Sequence, residues 1–145
     1  MFSQITKIKE IKPTKTYQLI QDEVLDSVVI ASQTLSGSCI SDCTYRQVVF
    51  SDCTFYACDF QGVTFENCVF ENCKFEFSHT RKCRFNNCNF TNCTWKASSS
   101  IQSRYIDCDL DPKIIEMSQL GRNTILNTHS DDCTTDIYIE LALAS

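Results

Sequence analysis

A large apolar residue recurs at every fifth position through the middle of the chain. In the series from residue 40 to residue 95, eleven of the twelve members are large and apolar, and the exception is Thr80. The apolar members are Ile40, Tyr45, Phe50, Phe55, Phe60, Phe65, Phe70, Phe75, Phe85, Phe90 and Trp95. The residue two places before each member is small, and eight of those twelve residues are cysteines, namely Cys43, Cys53, Cys58, Cys68, Cys73, Cys83, Cys88 and Cys93. Each five-residue unit thus has one small and one large core position.

A five-residue period excludes an α-helix and predicts short strands joined by bends. On a helix, steps of five residues rotate the position by about 140°, so the apolar residues would encircle the cylinder. In an extended segment, residues two apart point to the same side, and the small and large residues both face a core. The remaining two positions must turn the chain, and they often hold Asn, Asp or Gly, which favour turns. Each unit is therefore predicted to be a three-residue strand and a bend.

Composition and charge exclude several classes of protein. The chain has 145 residues, which suits one domain, and its 11 Cys and 10 Phe contrast with only 3 Gly and 2 Pro. A net charge of −5 disfavours direct binding to nucleic acid, because such binding uses Lys and Arg to neutralise phosphates. No apolar run has the length of a signal peptide or a membrane span. We expect a soluble cytoplasmic protein without membrane attachment, in which cysteines remain reduced.

Resemblance to the pentapeptide-repeat family is carried by the units CTFYA-CDFQG-VTFEN-CVFEN-CKFEF and CRFNN-CNFTN-CTWKA. That family's unit is a small residue, a polar residue, Leu or Phe, and two polar residues. The resemblance covers about Val28 to Leu110, or seventeen units. It implies an all-β solenoid, a right-handed quadrilateral parallel β-helix in which four units make one coil. The rod would then have about four coils and a length of about 20 Å at a strand spacing of about 4.8 Å.

Three segments are predicted along the chain: an N-terminal cap over residues 1–23, the β-helix over 24–111 and a C-terminal cap over 112–145. Caps are expected because the open end of a solenoid leaves unpaired strand edges. Asp111 and Pro112 are typical of the N-cap and first residue of a helix, so a short helix should follow.

The chain after that helix ends in an apolar segment. Apolar and mixed residues alternate from Asp136 to Ala144, which predicts a strand. This strand could pair with the N-terminal segment ITKIKEI or with its own copy in a second subunit. The sequence therefore predicts a possible homodimer through the terminal segments.

We interpret the regularly spaced cysteines as small buried core residues. They lack the CxxC pairs that place two ligands on one metal ion, and no metal or other cofactor is expected. Stacked cysteines fit the geometry of a disulfide badly, because their Cβ vectors run parallel. Cys39, at an outward position, and Cys133, outside the repeat, are the candidates for reactive thiols.

No catalytic residues are predicted. The two histidines, His79 and His129, are 50 residues apart, and no Gly-rich phosphate loop, GxSxG or HExxH motif occurs. An interior filled with Phe and Cys leaves no cleft for a substrate. The sequence is therefore expected to encode a non-enzymatic protein.

One face of the predicted solenoid departs from the repeat. Its core column reads Ile40, Phe60, Thr80, Ser100, so the large residue is lost twice in succession. Aromatic residues and cations at outward positions lie on or beside it, and we name these seven residues the patch: Tyr56, Phe77, His79, Arg81, Lys82, Arg84 and Arg104. Exposed aromatics surrounded by charge are typical of binding hot spots. The alternative is ordinary solvated surface, in which Phe77 covers Ala57 and Ala97.

Three functions remain open. The first is a rigid scaffold that binds a protein partner, whose identity the sequence does not give. The second is implied by resemblance to the quinolone-resistance type within the family, which mimics DNA and binds DNA gyrase and topoisomerase IV. Residues 24–111 hold ten acids and seven bases, a net charge of −3, which imitates a polyanion weakly. The third is a passive structural element.

Overall fold

The strands follow one another at the five-residue period of the sequence. The computed structural model describes residues 14–118, 121–130 and 133–140. Twenty strands make five coils of four. Coils 1 and 2 contain β1 (Thr14–Thr16), β2 (Leu19–Gln21), β3 (Val24–Asp26), β4 (Val29–Ala31), β5 (Thr34–Ser36), β6 (Cys39–Ser41), β7 (Thr44–Arg46) and β8 (Val49–Ser51). Coils 3, 4 and 5 contain β9 (Thr54–Tyr56), β10 (Asp59–Gln61), β11 (Thr64–Glu66), β12 (Val69–Glu71), β13 (Lys74–Glu76), β14 (His79–Arg81), β15 (Arg84–Asn86), β16 (Asn89–Thr91), β17 (Thr94–Lys96), β18 (Ser99–Ile101), β19 (Arg104–Ile106) and β20 (Asp109–Leu110).

Four parallel ladders form the four sides of the solenoid, which we number as faces. Face 1 holds β1, β5, β9, β13 and β17, and face 2 holds β2, β6, β10, β14 and β18. Face 3 holds β3, β7, β11, β15 and β19, and face 4 holds β4, β8, β12, β16 and β20. Residues twenty apart are partners throughout, as for Phe70 and Phe90. The predicted quadrilateral β-helix is confirmed.

The coil count and the start of the solenoid differ from the prediction. There are five coils rather than about four, because β1 and β2 lie within the segment 1–23 that was expected to be a cap. Strand β1 pairs with β5, and β2 pairs with β6, in the same register as later coils. Backbone hydrogen bonding thus continues the fold where Lys15 stands at a position that later coils fill with a large apolar residue.

Each coil turns at a residue with left-handed backbone. The last residue of every unit from Tyr17 to Asp107 has a φ between 49° and 64°. This conformation costs most residues energy, and Asn, Asp and Gly tolerate it best. It explains the recurrence of those types at Asp52, Gly62, Asn67, Asn72, Asn87 and Asn92. The corner backbone also bonds to the next coil, as when Asp52 N donates to Glu71 O over 2.9 Å.

Aromatic rings stack along three of the four faces. On face 4 the ring centroids of Phe50 and Phe70 lie 4.8 Å apart, and those of Phe70 and Phe90 lie 4.6 Å apart. Face 3 continues in the same way to Tyr105. Face 1 ends in Trp95, whose ring stacks on Phe75 at 4.0 Å. All of the Phe, Trp and Cys residues of the predicted core are buried except Cys93, which is half-buried near the last coil.

The C-terminal end is closed by a helix and a hairpin. Helix α1 (Pro112–Ser118) packs against β17 and β18, and Asp111 Oδ1 caps it by accepting from the N–H groups of Lys113 and Ile114. Strand β21 (Thr124–Ser130) pairs with β19 and β20, which closes faces 3 and 4. Strand β22 (Cys133–Glu140) pairs with β21 and is antiparallel to it.

These C-terminal strands bear on the prediction of a terminal dimer. The expected strand over 136–144 begins earlier, at Cys133, and its partner in the structure is β21 rather than the N-terminal segment. The N-terminal segment ITKIKEI and residues 141–145 lie outside the described residues. A dimer through the terminal segments therefore stays a prediction.

Candidate protein-binding surface

Two exposed aromatic residues meet at the corner between faces 1 and 2. Tyr56, at the end of β9, is 44% exposed, and Phe77, at the corner after β13, is 43% exposed. Their ring centroids lie 5.5 Å apart in an edge-to-face arrangement. Lys96 Nζ lies 5.9 Å from the centroid of Phe77, within the range of a cation–π interaction. The two rings and the ammonium group form one compact exposed cluster.

The solenoid holds these rings in place through its backbone. Tyr56 and Lys96 are the register partners of Glu76, which lies directly before Phe77. Phe77 N donates to Lys96 O over 2.8 Å, and its φ is 52°. This left-handed conformation is shared by every corner of the solenoid and fixes the outward position of Phe77. The residues above and below Phe77 in the corner column are Ala57 and Ala97, so no large side chain there covers its ring.

Face 2 connects this aromatic cluster to a group of cations. His79 and Arg81 lie on β14, with their side chains on the outer surface of the face. His79 is half-buried, and its Nδ1 shares a hydrogen bond of 2.6 Å with Ser99 Oγ on the next strand. Arg81 is exposed and has Gln61 and Ile101 as register partners. The imidazole is thus fixed, whereas the guanidinium group is free to meet a partner.

The cations at the far edge of face 2 have no acidic partner within the described chain. Lys82 occupies the corner between faces 2 and 3, and Arg84 follows it on face 3. Arg104 is the register partner of Arg84, so two like charges lie side by side. Among the described residues, ion pairs form elsewhere, between Arg46 and Glu66 and between Lys113 and Glu116. This arrangement leaves a concentration of positive charge on a chain whose net charge is −5.

The patch therefore consists of two clusters joined across one face. Tyr56 and Phe77 lie at one corner of face 2, the cations Lys82, Arg84 and Arg104 lie at the other, and His79 and Arg81 lie between them. Sequence reasoning missed Ile101, which is 39% exposed beside Arg81. Its signal was present, because a large apolar residue at an outward position of the repeat is the feature that identified Tyr56.

Two polar residues replace aromatic rings in the core of face 2, and the structure explains one of them. Ser100 Oγ lies 2.7 Å from the Tyr105 hydroxyl and donates to Asn123 Oδ1 over 3.1 Å. Asn123 in turn donates to Ser100 O and accepts from Ser103 N. Ser100 is thus part of the attachment of the C-terminal cap. Thr80 Oγ1 is buried without a hydrogen-bond partner, beside a small cavity of about 10 Å³ lined by phenyl rings.

The cysteines combine small size with weak hydrogen bonding. Each buried thiol donates to backbone carbonyls at corners, as Cys83 Sγ does to Phe60 O and Arg81 O, both at 3.5 Å. Ser78 makes the equivalent bonds to Phe55 O and Glu76 O, which explains why Ser and Cys alternate at this position. Burial raises the pKa of Cys58 and raises that of Cys83 to about 11, so both thiols are protonated at neutral pH.

The predicted candidates for reactive thiols are Cys39 and Cys133. Cys39 is exposed on face 2, where Asp59 is its register partner, and the Cys133 side chain lies outside the described residues. Within the described part of the chain, no group of three or more His, Cys, Asp or Glu side chains is placed to hold a metal ion.

An apolar cavity of about 180 Å³ lies at the N-terminal end of the described coils. Most of its lining consists of core residues such as Leu25, Ile30 and Leu35. Its one carboxylate, Glu23, accepts a hydrogen bond from the Tyr45 hydroxyl over 3.1 Å. Burial of that hydroxyl raises the pKa of Tyr45.

No helix in residues 14–118, 121–130 or 133–140 is long and apolar enough to cross a bilayer.

A comparison with known protein families finds a match for the repeat region. The profile described as pentapeptide repeats (9 copies) matches residues 34–76 and 50–94. Residues 34–94 of this chain are pentapeptide repeats. Among solved structures, the pentapeptide-repeat chain is similar to QnrB1, a plasmid-mediated fluoroquinolone resistance protein. A trypsin-treated form of QnrB1 gives a TM-score of 0.46 at 13% identity, over 81% of this chain and 67% of that chain.

A second QnrB1 structure, of the full-length protein, gives a TM-score of 0.25 at 11% identity, over 79% of this chain and 94% of that chain. No curated protein sequence matches the chain.

Proposed function

We propose that this pentapeptide-repeat protein is a non-enzymatic scaffold that binds a protein partner through the patch on face 2. The observation that carries the proposal is the contact between Tyr56 and Phe77, two aromatic rings that are each more than two-fifths exposed. Aromatic residues in rigid, well-defined positions supply much of the binding energy at protein interfaces. Exposed apolar surface that is bordered by polar and charged residues is typical of a site of protein interaction.

The fold favours binding because it fixes the patch in advance. Parallel hydrogen bonds on both sides hold β14, and stacked rings fill the core behind three faces of the same coils. A partner would therefore lose little free energy to ordering of the scaffold, which is the usual benefit of a preorganised site. The cations at the other corner of face 2 would orient an acidic partner surface.

The patch weighs against the two alternatives. A DNA mimic needs a dense array of carboxylates, whereas Arg81, Lys82, Arg84 and Arg104 make this surface positive. A passive structural element has no need for exposed aromatic rings, yet Tyr56, Phe77 and Ile101 all lie exposed on or beside face 2. The binding scaffold accounts for both features.

The test is affinity capture from native lysate with a matched pair of variants. Tyr56→Ala combined with Phe77→Ala removes the rings, and Glu71→Ala combined with Asn72→Ala changes the equivalent outward and corner positions at the end of face 4. We expect the aromatic variant to lose a specific protein that the wild type and the control both capture. Identical captured proteins for all three chains would contradict the proposal.

A further inference from the structure

The corner between faces 2 and 3 carries charge of opposite sign at its two ends. From coil 1 to coil 5 its residues are Asp22, Asp42, Gly62, Lys82 and Gln102. All of them except Gly62 are exposed. The acids thus occupy coils 1 and 2, the cation occupies coil 4, and the central coil has no side chain at this position.

The neighbouring outward positions strengthen the same division. Arg81 and Arg84 flank Lys82 in coil 4, and Arg104 lies beside Arg84 in coil 5, all exposed. The corresponding flanking residues of the second coil are neutral Ser41 and Thr44. Within one chain, Asp42 and Lys82 lie about 10 Å apart along the axis, at about 4.8 Å per coil. Neither forms an ion pair within the described residues.

A column of charges that is acidic at one end and basic at the other is complementary to a second copy of itself that runs antiparallel to it. We propose that this corner binds a second copy of the chain, antiparallel and side by side, about a two-fold axis that passes Gly62. That symmetry places coil 4 of each copy beside coil 2 of the other. Lys82 then meets Asp42 of the second copy, twice in the dimer, as isologous interfaces require.

The flanking residues are compatible with this arrangement. The same axis places Arg81 opposite Ser41 and Arg84 opposite Thr44. Arg104 of coil 5 lies opposite Val24 of coil 1, so no cation meets another cation. At the centre, Gly62 leaves open the space that the Asp42 carboxylate occupies, since a Cβ on Gly62 would lie 2.7 Å from Asp42 Oδ1. The Asp42 carboxylate therefore lies over the central coil, close to the proposed two-fold axis.

The inference rests on the proposed function, because it names a partner for the cationic half of the patch. The aromatic half, Tyr56 and Phe77, lies at the other corner of face 2 and stays available to a different protein. A contact along one corner of five coils is smaller than a standard interface, so the dimer depends on charge complementarity and on ionic strength.

Charge reversal and charge exchange test the proposal on the full chain under reducing conditions. Sedimentation velocity is measured at about 20 mM and about 500 mM NaCl, where screening differs greatly. We expect dimers at low salt and monomers at high salt. Asp42→Lys alone and Lys82→Asp alone each raise the dimer dissociation constant at least about tenfold, because symmetry applies each change twice.

The exchanged variant, with Asp42→Lys and Lys82→Asp together, restores the dimer. The backbone accepts the exchange, because Asp42 and Lys82 have φ values of 53° and 54°. Asp52→Lys, at another corner of coil 2 with a φ of 56°, is the matched control and leaves association unchanged. A wild type that stays monomeric at low salt overturns the proposal, and so does an exchanged variant that fails to recover. Capture that depends on Tyr56 and Phe77 would survive either result, so the two proposals fail separately.

Discussion

Faces 2 and 4 are built from the same five-residue unit and lie on opposite sides of the solenoid, yet they differ inside and outside. Face 4 is regular, with Phe50, Phe70 and Phe90 stacked nearly parallel at centroid distances of 4.8 Å and 4.6 Å. Face 2 has Thr80 and Ser100 at the corresponding core positions of coils 4 and 5. Face 4 thus combines regular stacking with a surface without exposed aromatics, whereas face 2 combines an interrupted core with the centre of the patch.

The outer surface of face 4 carries acids, whereas coils 4 and 5 of face 2 carry cations. The strands of face 4 contain Glu71 and Asp109 and no basic residue, and its corners add Asp52. Coils 4 and 5 of face 2 and its corners carry Lys82, Arg81 and Phe77 instead. In a repeat protein the core positions are constrained by packing, and the outward positions are freer to vary. We therefore look for the functional surface where the outward residues depart from the pattern.

The largest expected effect concerns the core of coil 4. Phe90→Ala on face 4 should lower the free energy of unfolding by about 3–5 kcal/mol, because it removes a ring stacked on Phe70 and leaves a cavity. Thr80→Ala on face 2 should cost about 1 kcal/mol or less, since Thr80 Oγ1 has no partner to lose. Urea denaturation of both variants measures the difference. Equal losses would show that face 2 contributes to the core as face 4 does.

A smaller effect is expected at alkaline pH from the thiols that line the core. Burial raises the pKa of Cys83 to about 11 from 9.0, so the unfolded chain loses this proton at lower pH than the folded chain does. Stability is then complete below about pH 9 and falls between pH 9 and 11, by up to about 3 kcal/mol for this group. Denaturation of the wild type and Cys83→Ser at pH 8 and pH 10.5 measures it.

Serine at position 83 keeps the hydrogen-bonding role, as Ser103 does in the same column, but does not titrate. The variant should therefore lose less stability between the two pH values than the wild type. Ser78 and Ser98, in the small-residue column of face 2, should contribute nothing to this pH dependence. An unchanged alkaline decline in Cys83→Ser would contradict the assignment.

A still smaller effect is expected when the unpaired hydroxyl on face 2 is removed. Thr80→Val keeps the shape of the side chain and replaces a buried hydroxyl that has no partner. The free energy of unfolding should stay equal or rise by about 1 kcal/mol. Thermal unfolding detects the change, with Thr54→Val on the outer surface of face 1 as the control. A loss above about 1 kcal/mol would mean that the hydroxyl is bonded.

No effect is expected on DNA gyrase. Acidic groups on face 4 are sparse. The cations of face 2 would repel the DNA-binding surface of gyrase, because a surface that binds DNA is itself positively charged. Purified protein at micromolar concentration should neither inhibit nor protect gyrase in a supercoiling assay. Inhibition that Glu71→Gln abolishes would make face 4, rather than face 2, the functional surface.

The repeat was predictable from sequence because every core position is fixed by a five-residue period. Phe70 and Cys68 both face the core, one at a large position and the other at a small position. The first coil was missed because Lys15 stands at a large apolar position and Gln18 at a small one, while the ladder continues through backbone bonds that any residue can make.

The site was less predictable than the fold. Outward positions gave Tyr56 and Phe77 at once, but their mutual contact depends on a corner with a φ of 52°. The role of Ser100 depends on Asn123, which lies 23 residues away and belongs to the cap. Such pairings are set by tertiary structure and leave no periodic signal.

Site-specific photo-crosslinking tests most directly whether face 2 is the binding surface. The photoreactive residue p-benzoylphenylalanine replaces Phe77 in one protein and Asn72 in the other, two exposed corner residues with φ values of 52° and 54°. The account predicts that position 77 crosslinks to a specific partner protein in native lysate and that position 72 does not. The same crosslinked proteins from both positions, or none from position 77, would contradict it.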